Sequence, residues 1–194
     1  MNNNYNISKQ PAKRKIFKNG VRIFRPTEWQ AFINAIPKQE YRTKMEALLF
    51  SGARYTELQW LYNNPSRFDG KNISMISLKA KVRHKERYIK LNDQGRMAVT
   101  YFLRGKRNLP MHHGWQENMK RWAFDAGLSE EGVGCKTSRK TYESWLATMY
   151  PNNWNHIFLS QGHTDRVSLE YYMMIPFDDE DKQEMEFYTR GWMK

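Results

Sequence analysis

The chain has 194 residues, with 32 Lys and Arg against 20 Asp and Glu, a formal charge of +12 and one cysteine. Hydrophobic residues make up 40% and aromatics 14%, which suffices for one domain with a core of its own, without disulfide or metal staples. A lone Cys135 forms no intramolecular bridge, the first residues carry no charged-then-apolar leader, and no apolar run is long enough for a bilayer. The protein is therefore expected to be soluble and intracellular, and its pI near 9.7 points to a polyanionic partner, nucleic acid above all.

Residues 1 to about 20 read as a flexible basic arm, with Lys9, Lys13, Arg14, Lys15 and Lys18 and no acid. A helix starts at Pro26 and presents Ala31, Phe32, Ala35 and Ile36 until Pro37 closes it. A second spans about Glu40 to Ser51, with Met45, Leu48 and Leu49 inward, and Gly52 ends it. A third runs from about Tyr55 to Tyr62. Turn residues at Asn63–Ser66 and Asp69-Gly70 precede two strands, Ile73–Leu78 and Arg87–Leu91, joined by a basic connection over Lys79–Glu86. Asp93 is expected to cap the next helix, which ends at Gly105. Further helices are expected at about 114–126, 137–149, 166–174 and 178–189. His112-His113, beside Pro110, reads as a loop, and the five histidines lack metal-ligand spacing. The class is mainly α with a small antiparallel β-hairpin or sheet, with no internal repeat and no second domain.

Three short segments carry chemistry. In Gly52-Ala53-Arg54-Tyr55-Thr56-Glu57-Leu58 a helix stops, an arginine stands in the break, and a new helix begins with Glu57 in its first turn, where a carboxylate suits the dipole. In Lys136-Thr137-Ser138-Arg139 two cations three apart share a face of a helix start, a setting suited to an anion. In Gln161-Gly162-His163 a glycine permits a tight turn, and Tyr172 follows nine residues on (172 − 163), about two and a half helical turns. Each alone is unremarkable: a surface arginine, a basic helix end, two core tyrosines.

Their order resembles the tyrosine recombinase family in its catalytic domain, over about residues 21–176. The family's Gly-x-Arg-x-x-Glu-Leu box is met by Gly52–Leu58. Its His-x-x-Arg box is met by Lys136–Arg139, with lysine for histidine, as in integrases of archaeal viruses and plasmids. Its Leu-Gly-His turn is met by Gln161-Gly162-His163, where glutamine for leucine is expected to be without chemical consequence. The resemblance implies that Arg54 and Arg139 hold the non-bridging oxygens of a phosphodiester, each permanently charged and fork-shaped. It implies hydrogen bonds from Lys136 and His163, and attack by Tyr172 to give a 3′-phosphotyrosine with a 5′-hydroxyl as leaving group.

A hairpin lysine would protonate the leaving oxygen. Lys81 is favoured, counting back from Lys85-Glu86-Arg87 as the return strand, with Lys79 as the alternative. Tyr171 is the alternative nucleophile, disfavoured by the spacing. No cofactor or metal is expected. The implied partners are double-stranded DNA at attachment sites and further copies of the chain in a tetramer on DNA, with residues 177–194 docking on a neighbouring protomer. Family members usually carry an N-terminal core-binding domain, for which residues 1–20 are too short and too polar. Two other readings share these features: a non-catalytic DNA-binding accessory protein, which forms no covalent adduct, and a type IB topoisomerase, which relaxes supercoils without a partner site.

Overall fold

The structure, a computed structural model, describes residues 13–76, 86–105, 109–162 and 175–193. Two antiparallel hairpins and eight α-helices are present among them, plus one turn of 3-10 helix at Pro65–Arg67. No described helix is long and apolar enough to cross a membrane.

The first hairpin corrects the expectation of a flexible arm reaching residue 20. Strands β1 (Ile16–Lys18) and β2 (Val21–Ile23) pair in the register Ile16 with Ile23 and Lys18 with Val21. Asn19 and Gly20 turn the chain with φ of 48° and 69°, the left-handed pair that a two-residue hairpin requires. The Asn-Gly dipeptide carried this signal, and the charge of the surrounding lysines masked it. Ile16 and Ile23 are buried.

Helices α1 (Pro26–Ala35), α2 (Gln39–Ser51) and α3 (Tyr55–Asn63) follow as expected. Strands β3 (Asn72–Ile76) and β4 (Glu86–Lys90) form the second hairpin, pairing Asn72 with Lys90 and Ile76 with Glu86. Alternation turns Ile73, Met75 and Ile89 inward. Helix α4 (Asp93–Arg104) is capped by Asn92, not Asp93. The Asn92 side chain accepts from Gly95 N at 2.9 Å and donates to Tyr188 O at 2.8 Å. Asp93 instead pairs with Arg96 on the surface, at 2.9 Å.

Helix α5 (His112–Asp125) takes in His112-His113 as its first turn, where a loop was expected. Helix α6 (Thr137–Met149) matches its expected span. Helix α7 (Trp154–Gln161) was not anticipated: it has only eight residues and follows a Pro-Asn-Asn turn. Its stop at Gly162, with φ 65°, is the same left-handed C-terminal signal that ends α2 at Gly52, φ 56°.

The core lies between α2, α4 and α6, with α1 and α5 on one side. Trp29, Trp115, Trp122, Trp145 and Trp192 are fully buried. Trp29 and Trp145 meet edge to face at 6.5 Å, and Trp145 donates its indole N–H to Phe24 O at 3.1 Å.

The last helix, α8 (Asp179–Thr189), buries Met185 and Tyr188 against this same chain's core, with Tyr188 on Trp145 and Phe50. Residues 177–194 were expected to reach a neighbouring protomer; in the single chain the described part folds back in cis. Its start is pinned by an ion pair between two buried side chains, Arg25 and Asp181. Asp178 and Asp181 also accept each other's backbone N–H, at 2.9 and 3.1 Å.

Asp181→Ala removes the carboxylate and leaves the Arg25 guanidinium buried without this partner. A loss of about 3–5 kcal/mol is expected, measured as a lower urea midpoint. If α8 packs in cis, that midpoint is independent of protein concentration.

Candidate active site

Arg54 stands in the break between α2 and α3. Gly52 ends α2, Ala53 is buried, and Arg54 is the extended N-cap of α3. Three residues on, Glu57 lies one helical turn inside, and its side chain is 1% exposed. It accepts from Arg54 twice, from the backbone N–H at 2.7 Å and from Nη1 at 2.6 Å. A carboxylate expected merely to suit the helix dipole is thus a buried hub.

Two more guanidiniums converge on it. Arg87 of β4 forms a two-pronged pair, Nη1 to Oε1 and Nη2 to Oε2, both at 2.9 Å. Arg139 of α6 brings Nη1 to 3.9 Å from Oε2. Burial alone would raise the Glu57 carboxyl, but the hydrogen bonds and charge of Arg87, with those of Arg54, hold it at about 2. Burial draws Arg139 down to about 10, opposed by Glu143 and Glu57, so it stays cationic at neutral pH. Two carboxylates, Glu57 and Glu143, against three guanidiniums leave the cluster positive.

The Gln161-Gly162 turn is brought to the Arg54 turn by Arg139. Its Nη1 donates to Gly52 O at 2.9 Å and its Nη2 donates to Gln161 O. Segments 22 and 87 residues distant in sequence are stapled by one side chain. Gln161, expected to be without chemical consequence, has a packing role. Its carboxamide lies over Gly52, where an added Cβ would come within 2.3–2.7 Å of it. Gly162 is similarly obliged: a Cβ there would meet Arg87 Cδ at 2.7 Å. Both glycines therefore serve a left-handed φ and a close approach.

Of the residues singled out in the sequence, Arg54 and Arg139 are brought together. Lys136 is at the N-cap of α6 but exposed, while Arg139 is buried. The two do not share a face, because α6 turns Arg139 into the core and leaves Lys136 at its rim. Among the described residues, no hydrogen bond or ion pair joins Lys136 to the hub. Lys79, Lys81, His163, Tyr171 and Tyr172 lie outside the described residues. The sequence reading missed Arg87 as a site residue. The signal was present: Arg87 is two residues before buried Ile89 on one strand, so period-two alternation turns it to the core side.

Because the Glu57 carboxyl titrates at about 2 in the fold against an ordinary 4.5, its stabilisation is full above the ordinary value. It is lost as pH falls through 4.5 toward 2. Glu57→Gln should lower stability at pH 7 by about 3 kcal/mol. The difference from the parent should shrink toward zero near pH 2, read from urea unfolding at a series of pH values. A difference that stays constant from pH 7 to 2 would show that the ion pairs are not its source.

The sequence matches no protein-family model and no curated protein. Solved structures do superpose on it. XerA recombinase gives a TM-score of 0.61 at 16% identity, over 87% of this chain and 65% of that one. The Tn1549 transposon integrase in complex with circular intermediate DNA gives 0.62 at 15%, over 88% and 66%. XerH site-specific recombinase bound to a palindromic difH substrate, a post-cleavage complex, gives 0.61 at 17%, over 91% and 54%. The chain thus spans just under two thirds of the first two and about half of the third. Its fold, mainly helical with two small antiparallel sheets, is that of tyrosine recombinase catalytic domains.

Proposed function

We propose that this chain is a site-specific DNA recombinase or integrase that cuts and rejoins DNA through a 3′-phosphotyrosine. The observation that carries the reading is the convergence of Arg54 and Arg139, with Arg87, on one buried carboxylate, within a fold shared with the Tn1549 integrase and XerH complexes on DNA. The net charge of +12 supports double-stranded DNA as partner.

A phosphodiester gains negative charge on its non-bridging oxygens as it is attacked, and preorganised cations stabilise that charge without reorganising. Arg54 is suited to meet it: its side chain is 32% exposed, against 9% for Arg87 and 8% for Arg139. Arg139 spends one N–H of each terminal nitrogen on a carbonyl, which fixes the plane of its fork, and each such nitrogen carries a second N–H. Exposed Lys136 is assigned to a neighbouring phosphate. Its place in Lys-x-x-Arg favours the branch that includes integrases of archaeal viruses and plasmids.

In the proposed step, Tyr172 Oη attacks phosphorus, the bond from phosphorus to O5′ breaks, and O5′ takes a proton from Lys81, with Lys79 as the alternative donor. His163 donates a hydrogen bond to the phosphoryl group. A free phenol titrates at about 10, so the cationic pocket must favour the phenolate. In reverse, a 5′-hydroxyl attacks the phosphotyrosine, and bond energy is conserved without ATP. Exchange between two attachment sites requires a tetramer on DNA, and the setting is the cytoplasm of a DNA-bearing host cell.

Incubation with nicked suicide DNA carrying candidate attachment sites should give a covalent complex on a denaturing gel. Tyr172→Phe should abolish it and Tyr171→Phe should retain it; the opposite pattern moves the nucleophile to Tyr171. Arg54→Ala should slow its formation by about 10²–10³-fold. DNA binding with no adduct would sink the catalytic reading and leave a DNA-binding accessory protein. Relaxation of supercoiled DNA without strand exchange between sites would indicate topoisomerase action.

A further inference from the structure

Arg87 is the residue of the hub that no part of the proposed reaction uses. It is 9% exposed and contacts three parts of the site. Its two terminal nitrogens hold both oxygens of Glu57 at 2.9 Å. Its Nε donates to Ser160 O at 3.1 Å, in the last turn of α7. Its aliphatic stem runs beneath Gly162, so closely that a Cβ there would sit 2.7 Å from Cδ and 3.0 Å from Nε. The strand that carries it is bound to the same residue of α7 a second time, where Lys90 N donates to Ser160 Oγ at 3.3 Å.

The consequence follows from the geometry of Glu57. That carboxylate has two oxygens, and Arg54 uses both, one through its backbone and one through Nη1. A carboxylate held only by the residue it holds could rotate about its own side-chain torsions. The Arg87 fork approaches from a different element and fixes the carboxylate plane. The Arg54 guanidinium is thereby placed relative to β4 and to the turn at Gly162. The residue before His163 is packed on the same arginine.

We infer that Arg87 is a positioning residue for the cleavage reaction. It fixes Arg54 through the Glu57 carboxylate and sets the Ser160–Gly162 turn against it, in a way that a lysine in its place cannot reproduce. The inference rests on the recombinase reading above. Lysine keeps the charge and most of the stem but is a single point donor, unable to hold two carboxylate oxygens and a carbonyl at once. A displacement of a catalytic group by about 1 Å can cost about 10²-fold in rate.

The test is single-turnover formation of the covalent complex on suicide DNA at saturating enzyme, with DNA affinity measured separately by gel shift, for the parent and for Arg87→Lys. The expected result is a rate lower by about 10–10²-fold with affinity within about twofold. The acid limb of the rate–pH profile should move to higher pH in the variant, because Glu57 loses part of what holds it ionised. A merely structural role would lower the active fraction and leave the limb in place.

In a double-mutant cycle, Glu57→Gln and Arg87→Lys should cost little more together than either alone, because both release the same Arg54. Should Arg87→Lys fail to fold, the paired replacement Glu57→Leu with Arg87→Met removes one charge of each sign and leaves Arg139 the Glu143 charge and its two carbonyls; its fold is checked by urea unfolding before cleavage is read. It should still cleave slowly. Parent-like cleavage by Arg87→Lys or by the paired variant, or an unmoved acid limb, would overturn the inference and leave the recombinase reading intact. A parent chain that gives no adduct, as Tyr172→Phe gives none, would overturn both.

Discussion

The Glu57 carboxylate is the constraint on which the candidate site depends. It is a single buried anion reached by Arg54 from its own helix, by Arg87 from a strand and by Arg139 from α6. Like charges gathered in a low-dielectric interior repel one another, and each also carries a desolvation cost. A shared carboxylate offsets both. Remove it, and three guanidiniums that the fold places together have reason to move apart. Arg54 and Arg87 are hydrogen-bonded to that carboxylate directly, while Arg139, 3.9 Å from it, is placed by the carbonyls it donates to.

Arg139 performs a second task with the same guanidinium. By donating to Gly52 O and Gln161 O it joins the stop of α2 to the stop of α7. Both stops are left-handed glycines, and in both the missing Cβ is filled by a neighbour, the Gln161 carboxamide at Gly52 and the Arg87 stem at Gly162. The two turns that bear on the site therefore interlock. The carbonyls of Gly52, Ser160 and Gln161 at these two helix ends are satisfied by the site's own arginines.

The remainder of the fold supports this arrangement from behind. α2 lies in the core between α4 and α6, and buried tryptophans on α1, α5 and α6 fill the space around it. α8 closes the structure through Tyr188 and the buried Arg25–Asp181 pair. Arg25 and Glu28 at the start of α1 repeat the Arg-x-x-Glu placement of Arg54 and Glu57, with Arg25 N donating to Glu28 at 2.9 Å. There the Arg25 guanidinium goes to Asp181, and among the described residues Arg22 is the cation paired with the Glu28 carboxylate. The local pattern is common to both helix starts, and the convergence of three cations belongs to one.

Much of this was legible in residue order alone. Helical periodicity located α1 to α6 and α8, because apolar spacing and glycine or proline stops are local properties. The Gly52–Leu58 and Lys136–Arg139 segments were recognisable because their chemistry is written in adjacent residues. What the sequence could not decide was which cations face inward. Lys136 and Arg139 were read as a pair, yet packing buries one and exposes the other. Glu57 looked like a helix-start carboxylate, and Arg87 like a marker of a returning strand. Their two-pronged bond joins residues 30 apart, across elements whose mutual placement no local pattern encodes. Residue order was enough for seven of the eight described helices, for the glycine stop of α2 and for the identity of the charged side chains. That three of those charges meet at one carboxylate came from packing, since burying them is tolerable solely where distant segments bring the counter-charge to them.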